Sequence, residues 1–376
     1  MEPIRMVDLH GQYLRVKADI DNAIQEVLNE TAFIQGRHVK EFESALAEYC
    51  GVNHVVSCGN GTDALQIALM ALDLQPGDEV ILPVFTYVAT AEVIALLRLK
   101  PVFVDVDART FNLDTKQVEE KLSAKTRAIV PVHLFGQCAD MESLLQLAKA
   151  HNVAIIEDAA QALGASFRFQ DGGSAAAGAI GHIGCTSFFP SKNLACFGDG
   201  GAIFTNDSRL AEKLRMIANH GQKIKYHYDL VGVNSRLDTL QAAVLKVKLK
   251  HLGAYTRRRQ EAALHYDKAL ASLEELVTPL HMQNSTHVFN QYTLQVKNGK
   301  RDALKGFLQD KGLPSMIYYP LPLHLQKAYE YAGYGEGAFT EAERLSKSVL
   351  SLPVHSEIST EQLDYICATV RDFFKQ

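Results

Sequence analysis

Short apolar runs alternate with helical patterns along the first two thirds of the chain, and this alternation restricts the fold more than any other feature. The runs fall at 54–58, 79–82, 101–104, 128–133, 153–157, 184–189 and 202–204. The helical patterns include 62–73, 88–98, 140–151 and 207–219. Strands that alternate with helices predict an α/β fold, with a mostly parallel sheet covered on both faces. Val153-Ala154-Ile155-Ile156 is apolar without alternation, as a strand buried on both sides requires.

The texture changes after about 236. A long helical pattern runs to about 271, followed by a β-rich piece at 288–297, a helix at 301–311, a Pro/Tyr loop at 314–324 and two further helices. Thr340 with Glu343, and Ser359 with Gln362, have the spacing of capping boxes at those two helix starts. The last helix places Leu363, Ile366, Val370 and Phe373 on one face. These patterns predict a large α/β domain over 1–250, N-terminal segment included, and a smaller α+β domain over 251–376. No Gly/Ser linker separates them, so they should pack together.

The composition excludes several classes of function. A formal net charge of -5 gives no reason to expect nucleic acid or an anionic membrane as partner. No apolar run approaches the ~20 residues of a membrane span. The N-terminus carries an acid early and lacks the apolar core of a signal peptide, so a cytoplasmic protein is expected. The six cysteines, at 50, 58, 138, 185, 196 and 367, form no C-x-x-C pair. They predict no metal site and fit free buried thiols in a reducing compartment. Arg257-Arg258-Arg259 reads as a solvated helix face.

Four local features can carry chemistry. In Cys58-Gly59-Asn60-Gly61-Thr62-Asp63 a strand ends in a glycine-rich turn and a helix begins at Thr62 or Asp63. Such a turn can cradle a phosphate, or can be an ordinary turn with Thr62 as N-cap. Glu157-Asp158-Ala159-Ala160-Gln161 directly follows the buried strand. An acid at the carboxyl end of a parallel strand can hold a buried cation, or can cap a helix. In Thr186-Ser187-Phe188-Phe189-Pro190-Ser191-Lys192-Asn193 a strand breaks at Pro190 and delivers a lysine among Phe188, Phe189, Leu194 and Phe197. Desolvation there would lower its pKa, as an amine nucleophile requires, whereas a surface lysine would snorkel to water. Tyr87 follows another strand end, where its ring can stack on a flat ligand or pack in the core. Asn234 and Arg236 lie in a loop before a long helix.

Taken together and in order, the segments N-G-T-D-A-L, P-x-F-T-Y-V-A-T-A, E-D-A-A-Q, S-F-F-P-S-K-N-L and G-V-N-S-R-L-D-T-L-Q-A-A resemble the DegT/DnrJ/EryC1/StrS family of nucleotide-sugar aminotransferases dependent on pyridoxal 5'-phosphate (PLP). The resemblance runs from Val7-Asp8-Leu9 to the last helix. It implies PLP fold type I and a homodimer with shared active sites. It also implies that Lys192 carries the cofactor and moves the proton, and that Asp158 pairs with the ring nitrogen. Gln161 would meet the phenolic oxygen, and Tyr87 would stack on the ring. Gly61, Thr62 and Ser187 would hold the phosphate, with Asn234 reaching it from the other subunit. The implied reaction is a ping-pong exchange in which L-glutamate leaves as 2-oxoglutarate and a nucleotide-linked keto-sugar takes the amine.

Within the family, the stretch 228–238 is similar to the 3-aminotransferases of UDP-2-acetamido-2-deoxy-3-keto-glucuronate. Arg236 would there meet the sugar carboxylate, since guanidinium binds carboxylate through two parallel hydrogen bonds. Tyr318, Tyr319 and His324 are the further residues expected at the sugar. Tyr318 departs from that group, which has His before the Tyr-Pro pair. The departure leaves open 3- or 4-aminotransfer to a dTDP- or UDP-linked keto-deoxysugar. Lower alternatives are a PLP-dependent sugar dehydratase and a non-catalytic regulator.

Overall fold

The computed structural model describes residues 3–375. Seven strands form the main sheet: β1 His54–Cys58, β2 Glu79–Pro83, β3 Lys100–Val104, β4 Thr126–Ile129, β5 Ala154–Asp158, β6 Ile183–Ser187 and β7 Gly201–Thr205. Their spatial order is β1-β7-β6-β5-β4-β2-β3. Only β7 runs against its neighbours, β1 and β6. The chain from β6 to β7 contains no crossover helix, and a parallel return would need one. The carboxyl ends of the other six strands therefore share one edge of the sheet. Cys58, Pro83, Asp158 and Ser187 end four of them there, where open α/β sheets bind ligands.

The predicted strands are close to those observed. The run 128–133 leaves its ladder after Ile129 because Pro131 has no N–H to donate. Val130 N–H still reaches the Ile81 carbonyl at 2.8 Å. The helices Gly61–Ala71, Ala89–Leu96, Met141–His151 and Ser208–Ala218 match within one or two residues. The long pattern from 236 is two helices, Thr239–Leu249 and Leu252–Leu270. Three N-terminal helices, Leu9–Arg15, Lys17–Glu30 and Arg37–Cys50, were not predicted. Their signal was present: Ile20, Ala23 and Val27, then Val39, Phe42, Leu46 and Cys50, fall at helical spacing and are buried.

A second sheet is antiparallel, with β8 Leu276–Val277, β9 Tyr292–Val296 and β10 Val349–Leu352. Its core includes Tyr266, Leu294, Leu304, Leu350 and Ile366. The Ser359–Gln362 capping box is formed. The Thr340–Glu343 box is not. Phe339 occupies the N-cap of helix Thr340–Ser348, and Glu343 instead accepts from Gly337 N–H at 2.8 Å and pairs with His324. Asp105, just past β3, caps this helix from a distance, accepting the N–H groups of Glu341 and Ala342 at 2.9 Å each. Asp105 is buried, so Asp105→Ala should leave both donors unsatisfied. It is expected to lower stability by about 2 kcal/mol in urea unfolding, with Asp105→Asn losing less.

The basic cluster divides. Arg257 and Arg258 are exposed as predicted, but Arg259 is buried and donates to the carbonyls of Phe289 (3.1 Å) and Val354 (2.8 Å). Burial pulls its pKa down to about 10. Lys248 is buried too, with Nζ 5.6 Å from the Phe197 ring centre. Burial lowers its pKa from 10.5 to about 8. Below pH 8 the folded and unfolded chains both hold this proton, and the desolvation cost is complete. Between 8 and 10.5 the unfolded chain binds more protons, so stability rises with pH. Lys248→Met is expected to stabilise by about 3 kcal/mol at pH 7, a gain that shrinks to nothing towards pH 10.5. Unfolding of both proteins across that range measures it.

Candidate active site

The phosphate-cradle turn is capped by Asn60, not Thr62. Asn60 Oδ1 accepts Asp63 N–H at 2.8 Å, and the helix starts at Gly61. The N–H groups of Gly61 and Thr62 then meet no protein acceptor among the described residues. They are free donors on the positive end of an 11-residue helix. Glycine is required here: a Cβ on Gly61 would lie 2.7 Å from the Ser187 Cβ. Strand β6 thus brings the Ser187 hydroxyl beside the helix start.

Asp158 ends β5 and is buried. Its Oδ2 accepts the Thr90 hydroxyl at 2.8 Å, and its Oδ1 accepts Ala160 N–H at 3.1 Å. The carboxylate serves a short turn here and leaves further lone pairs for a cation. Behind it, Glu157 is fully buried and accepts His133 Nε2 at 2.8 Å and the N–H groups of Gly178, Ile180 and Gly181. His133 Nδ1 accepts Ala139 N–H at 3.1 Å, which assigns the ring proton to Nε2.

Lys192 lies in the loop from β6 to β7. Phe188 N–H meets the Gly200 carbonyl at 2.7 Å, and Lys192 N–H meets that of Phe189 at 2.8 Å. Burial lowers the pKa of the lysine amine, and the charge of Asp158 acts in the opposite direction. The side chain is half-buried, neither sealed in the core nor extended into water, and its amine lies within electrostatic reach of Asp158.

Gln161 and Tyr319 complete this side. Gln161 Oε1 accepts Phe135 N–H at 2.8 Å, and its Nε2 donates to Tyr319 Oη at 3.2 Å. One amide N–H remains for a ligand. The Tyr319 ring stands 6.0 Å from Phe85 and 6.4 Å from Tyr87. Tyr87 is 59% exposed, so it is not a core residue. Tyr318 is joined to Tyr319 by a cis peptide bond, and burial raises the pKa of its hydroxyl.

Three expected residues are not brought to this cluster within one chain. His324 is fully enclosed, its Nε2 2.9 Å from Glu343 and its ring against Phe339. The structure places it as an anchor of the 314–324 loop, not at a ligand surface. Asn234 is exposed, on a segment fixed by Ser235, whose hydroxyl accepts Gly59 N–H and donates to Asp63. Arg236 faces a separate cavity of about 440 Å³, together with Lys40, Glu43, Arg215 and Ser235. Thr90 and Phe135 were missed. Thr90 sits in an apolar helix, and Phe135 contributes its main chain from a positive φ of 61°, which its identity does not announce.

The arrangement fits PLP: free helix N–H groups for a phosphate, a buried carboxylate for a ring cation, a half-buried lysine, and an exposed aromatic face. The family model for DegT/DnrJ/EryC1/StrS aminotransferases matches residues 15–371. The chain belongs to this family. It is an aminotransferase, and its cofactor is pyridoxal 5'-phosphate. It is 46% identical over 374 residues to a pleiotropic regulatory protein of Geobacillus stearothermophilus, covering 99% of both chains. It is 45% identical over 367 residues to the UDP-2-acetamido-2-deoxy-3-oxo-D-glucuronate aminotransferase of Pseudomonas aeruginosa, covering 98% of this chain and 99% of that one. The crystal structure of S. venezuelae DesV in complex with a ketimine intermediate superposes with a TM-score of 0.96 at 38% identity, over the full length of both chains. The fold-type-I architecture predicted from the sequence agrees with these likenesses.

Proposed function

We propose that this aminotransferase moves an amino group from L-glutamate to the keto carbon of a nucleotide-linked 3-keto sugar, and that the sugar serves a surface polysaccharide such as lipopolysaccharide. One observation carries the reading: the half-buried Lys192, its amine's pKa lowered by burial, within electrostatic reach of buried Asp158 at the carboxyl edge of the parallel sheet. Bound PLP supplies an electrophilic carbon and a ring that accepts electrons. Lys192 would hold it covalently, and its neutral Nζ would take and return the proton at the reacting carbon. Burial favours that neutral form, and Asp158 keeps the amine from losing all basicity. Asp158 would meet the ring nitrogen, held in place by Thr90 and Ala160. Gln161 would donate its free N–H to the phenolic oxygen. Tyr87 would cover one ring face and exclude water. Gly61, Thr62 and Ser187 would bind the phosphate.

Asn234 and Arg236 fit this scheme as contributions to a second copy's site in a homodimer. The neighbouring segment supports that, since it exposes Ile224, Tyr226, Tyr228 and Val231, an apolar stretch suited to a partner chain. The same reading divides the chain at about 250 into a cofactor domain and a smaller one. It also places the enzyme in the cytoplasm, where the six free buried cysteines stay reduced.

The Pseudomonas relative and the Arg236 guanidinium, which has no ion-pair partner among the described residues, favour a uronate, UDP-2-acetamido-2-deoxy-3-keto-glucuronate, as acceptor. Tyr318 and the 39% identity over 370 residues to the dTDP-3-amino-3,4,6-trideoxy-alpha-D-glucose transaminase of Streptomyces venezuelae, covering 98% of this chain and 96% of that one, favour the second reading, a 3- or 4-keto deoxysugar on dTDP or UDP. The Geobacillus relative's regulatory name adds no third, because Lys192, Asp158, Gln161 and Ser187 are all present. Glutamate-dependent amination of UDP- and dTDP-linked 3-keto and 4-keto sugars decides between them. Preference for a neutral dTDP-sugar rejects the uronate, and release of water without nitrogen transfer rejects aminotransfer.

A further inference from the structure

Asn193 directly follows Lys192 and is only 4% exposed. Its amide is used at both ends. Nδ2 donates to the Val288 carbonyl at 3.1 Å, and Oδ1 accepts Asn290 Nδ2 at 2.9 Å. Asn290 is as deeply buried. The segment that holds Asn193 also holds the opposite wall of the site. Val288 N–H donates to the Gly136 carbonyl at 2.9 Å, and Gln291 N–H to that of Phe135 at 3.3 Å. Phe135 N–H in turn fixes Gln161. Beneath them Arg259 clamps the Phe289 carbonyl, its buried charge spent on main-chain oxygens.

A buried pair of amides costs desolvation that an apolar pair of the same size would avoid. What it provides is direction, because two hydrogen bonds at fixed angles lock the side chain and the backbone that bears it. The Phe189–Lys192 turn fixes the main chain before the lysine. The amide pair fixes it after.

We propose that Asn193 and Asn290 are a positioning pair. They immobilise the main chain of Lys192 and, through residues 288–291 and Phe135, hold it in register with Gln161. This rests on the assignment of Lys192 as the reacting lysine. An amine misplaced by about 1 Å costs on the order of 10²-fold in rate, whereas binding of the sugar elsewhere in the site is untouched.

The test compares Asn193→Ala, Asn290→Ala and the double variant with the wild-type holoenzyme. Each single variant should lower kcat by about 10- to 100-fold and leave both KM values within about threefold. The apparent dissociation constant of the cofactor should rise about tenfold, because the amine is presented at a lower effective concentration. The double variant should be no worse than the poorer single one, since both remove one interaction. Asn290→Ala leaves the neighbour of Lys192 intact and carries the test alone if Asn193→Ala does not fold. A kcat within twofold of wild type, additive losses, or equal losses in kcat and KM overturn the pair. Borohydride reduction of the loaded proteins followed by peptide mapping separates the two claims. Label absent from Lys192 in the wild type removes the assignment and the pair together. Label on Lys192 with silent variants removes only the pair.

Discussion

Lys192→Ala should lower kcat for transamination by at least ~10⁴-fold, the largest effect of any single substitution in this chain. In the proposed role of Lys192 two functions go at once, the covalent attachment of the cofactor and the proton transfer at the reacting carbon. The proposed phosphate donors at Gly61 and Thr62, the Asp158 carboxylate and the Tyr87 ring all remain. The variant should therefore still bind PLP, now non-covalently and more weakly, and borohydride should no longer fix it to the protein. Steady-state turnover and a cofactor titration on the same preparation give both readouts. A variant that keeps a tenth of wild-type turnover would remove Lys192 from the chemistry.

Asp158→Asn should follow, with kcat lower by about 10²- to 10³-fold. The substitution keeps the shape and one acceptor for Thr90 or Ala160, so the fold should survive. It removes the negative charge that, in the proposed role of Asp158, would stabilise a protonated ring nitrogen in a water-poor site, where such a charge has its greatest effect. It also removes the charge that opposes the desolvation of Lys192. The Lys192 pKa should then fall further, and the acid limb of the kcat profile should move to lower pH. A kcat within threefold of wild type, with an unmoved profile, would show that Asp158 only caps its turn.

The residues proposed for the cofactor could be picked out in the sequence because they are local signals at strand ends. Gly61, Asp158 and Ser187 each terminate or follow an apolar run, and a parallel sheet collects such ends on one edge. The sugar side was less legible. His324 has the identity of a ligand contact but spends its ring on Glu343 and Phe339. Glu343 has the spacing of a capping box but serves His324 and Gly337, because Asp105, more than 230 positions away in sequence, already caps that helix. Arg259 looks like one of three solvated arginines, yet only its position on the inward face of helix Leu252–Leu270 decides that it is buried.

The sequence by itself determined the alternation of strands and helices, the lysine set among phenylalanines and the acid after the buried strand. Period, turn chemistry and apolar company are properties of neighbours in the chain. The tertiary structure decided whether the lysine amine is desolvated, which asparagine caps the phosphate turn, and which amides lock Lys192 in place. Those outcomes depend on groups that only folding brings together, such as Ser187 against Gly61 and Asn290 against Asn193. Burial and hydrogen-bond satisfaction are set by that proximity, and no local pattern encodes it.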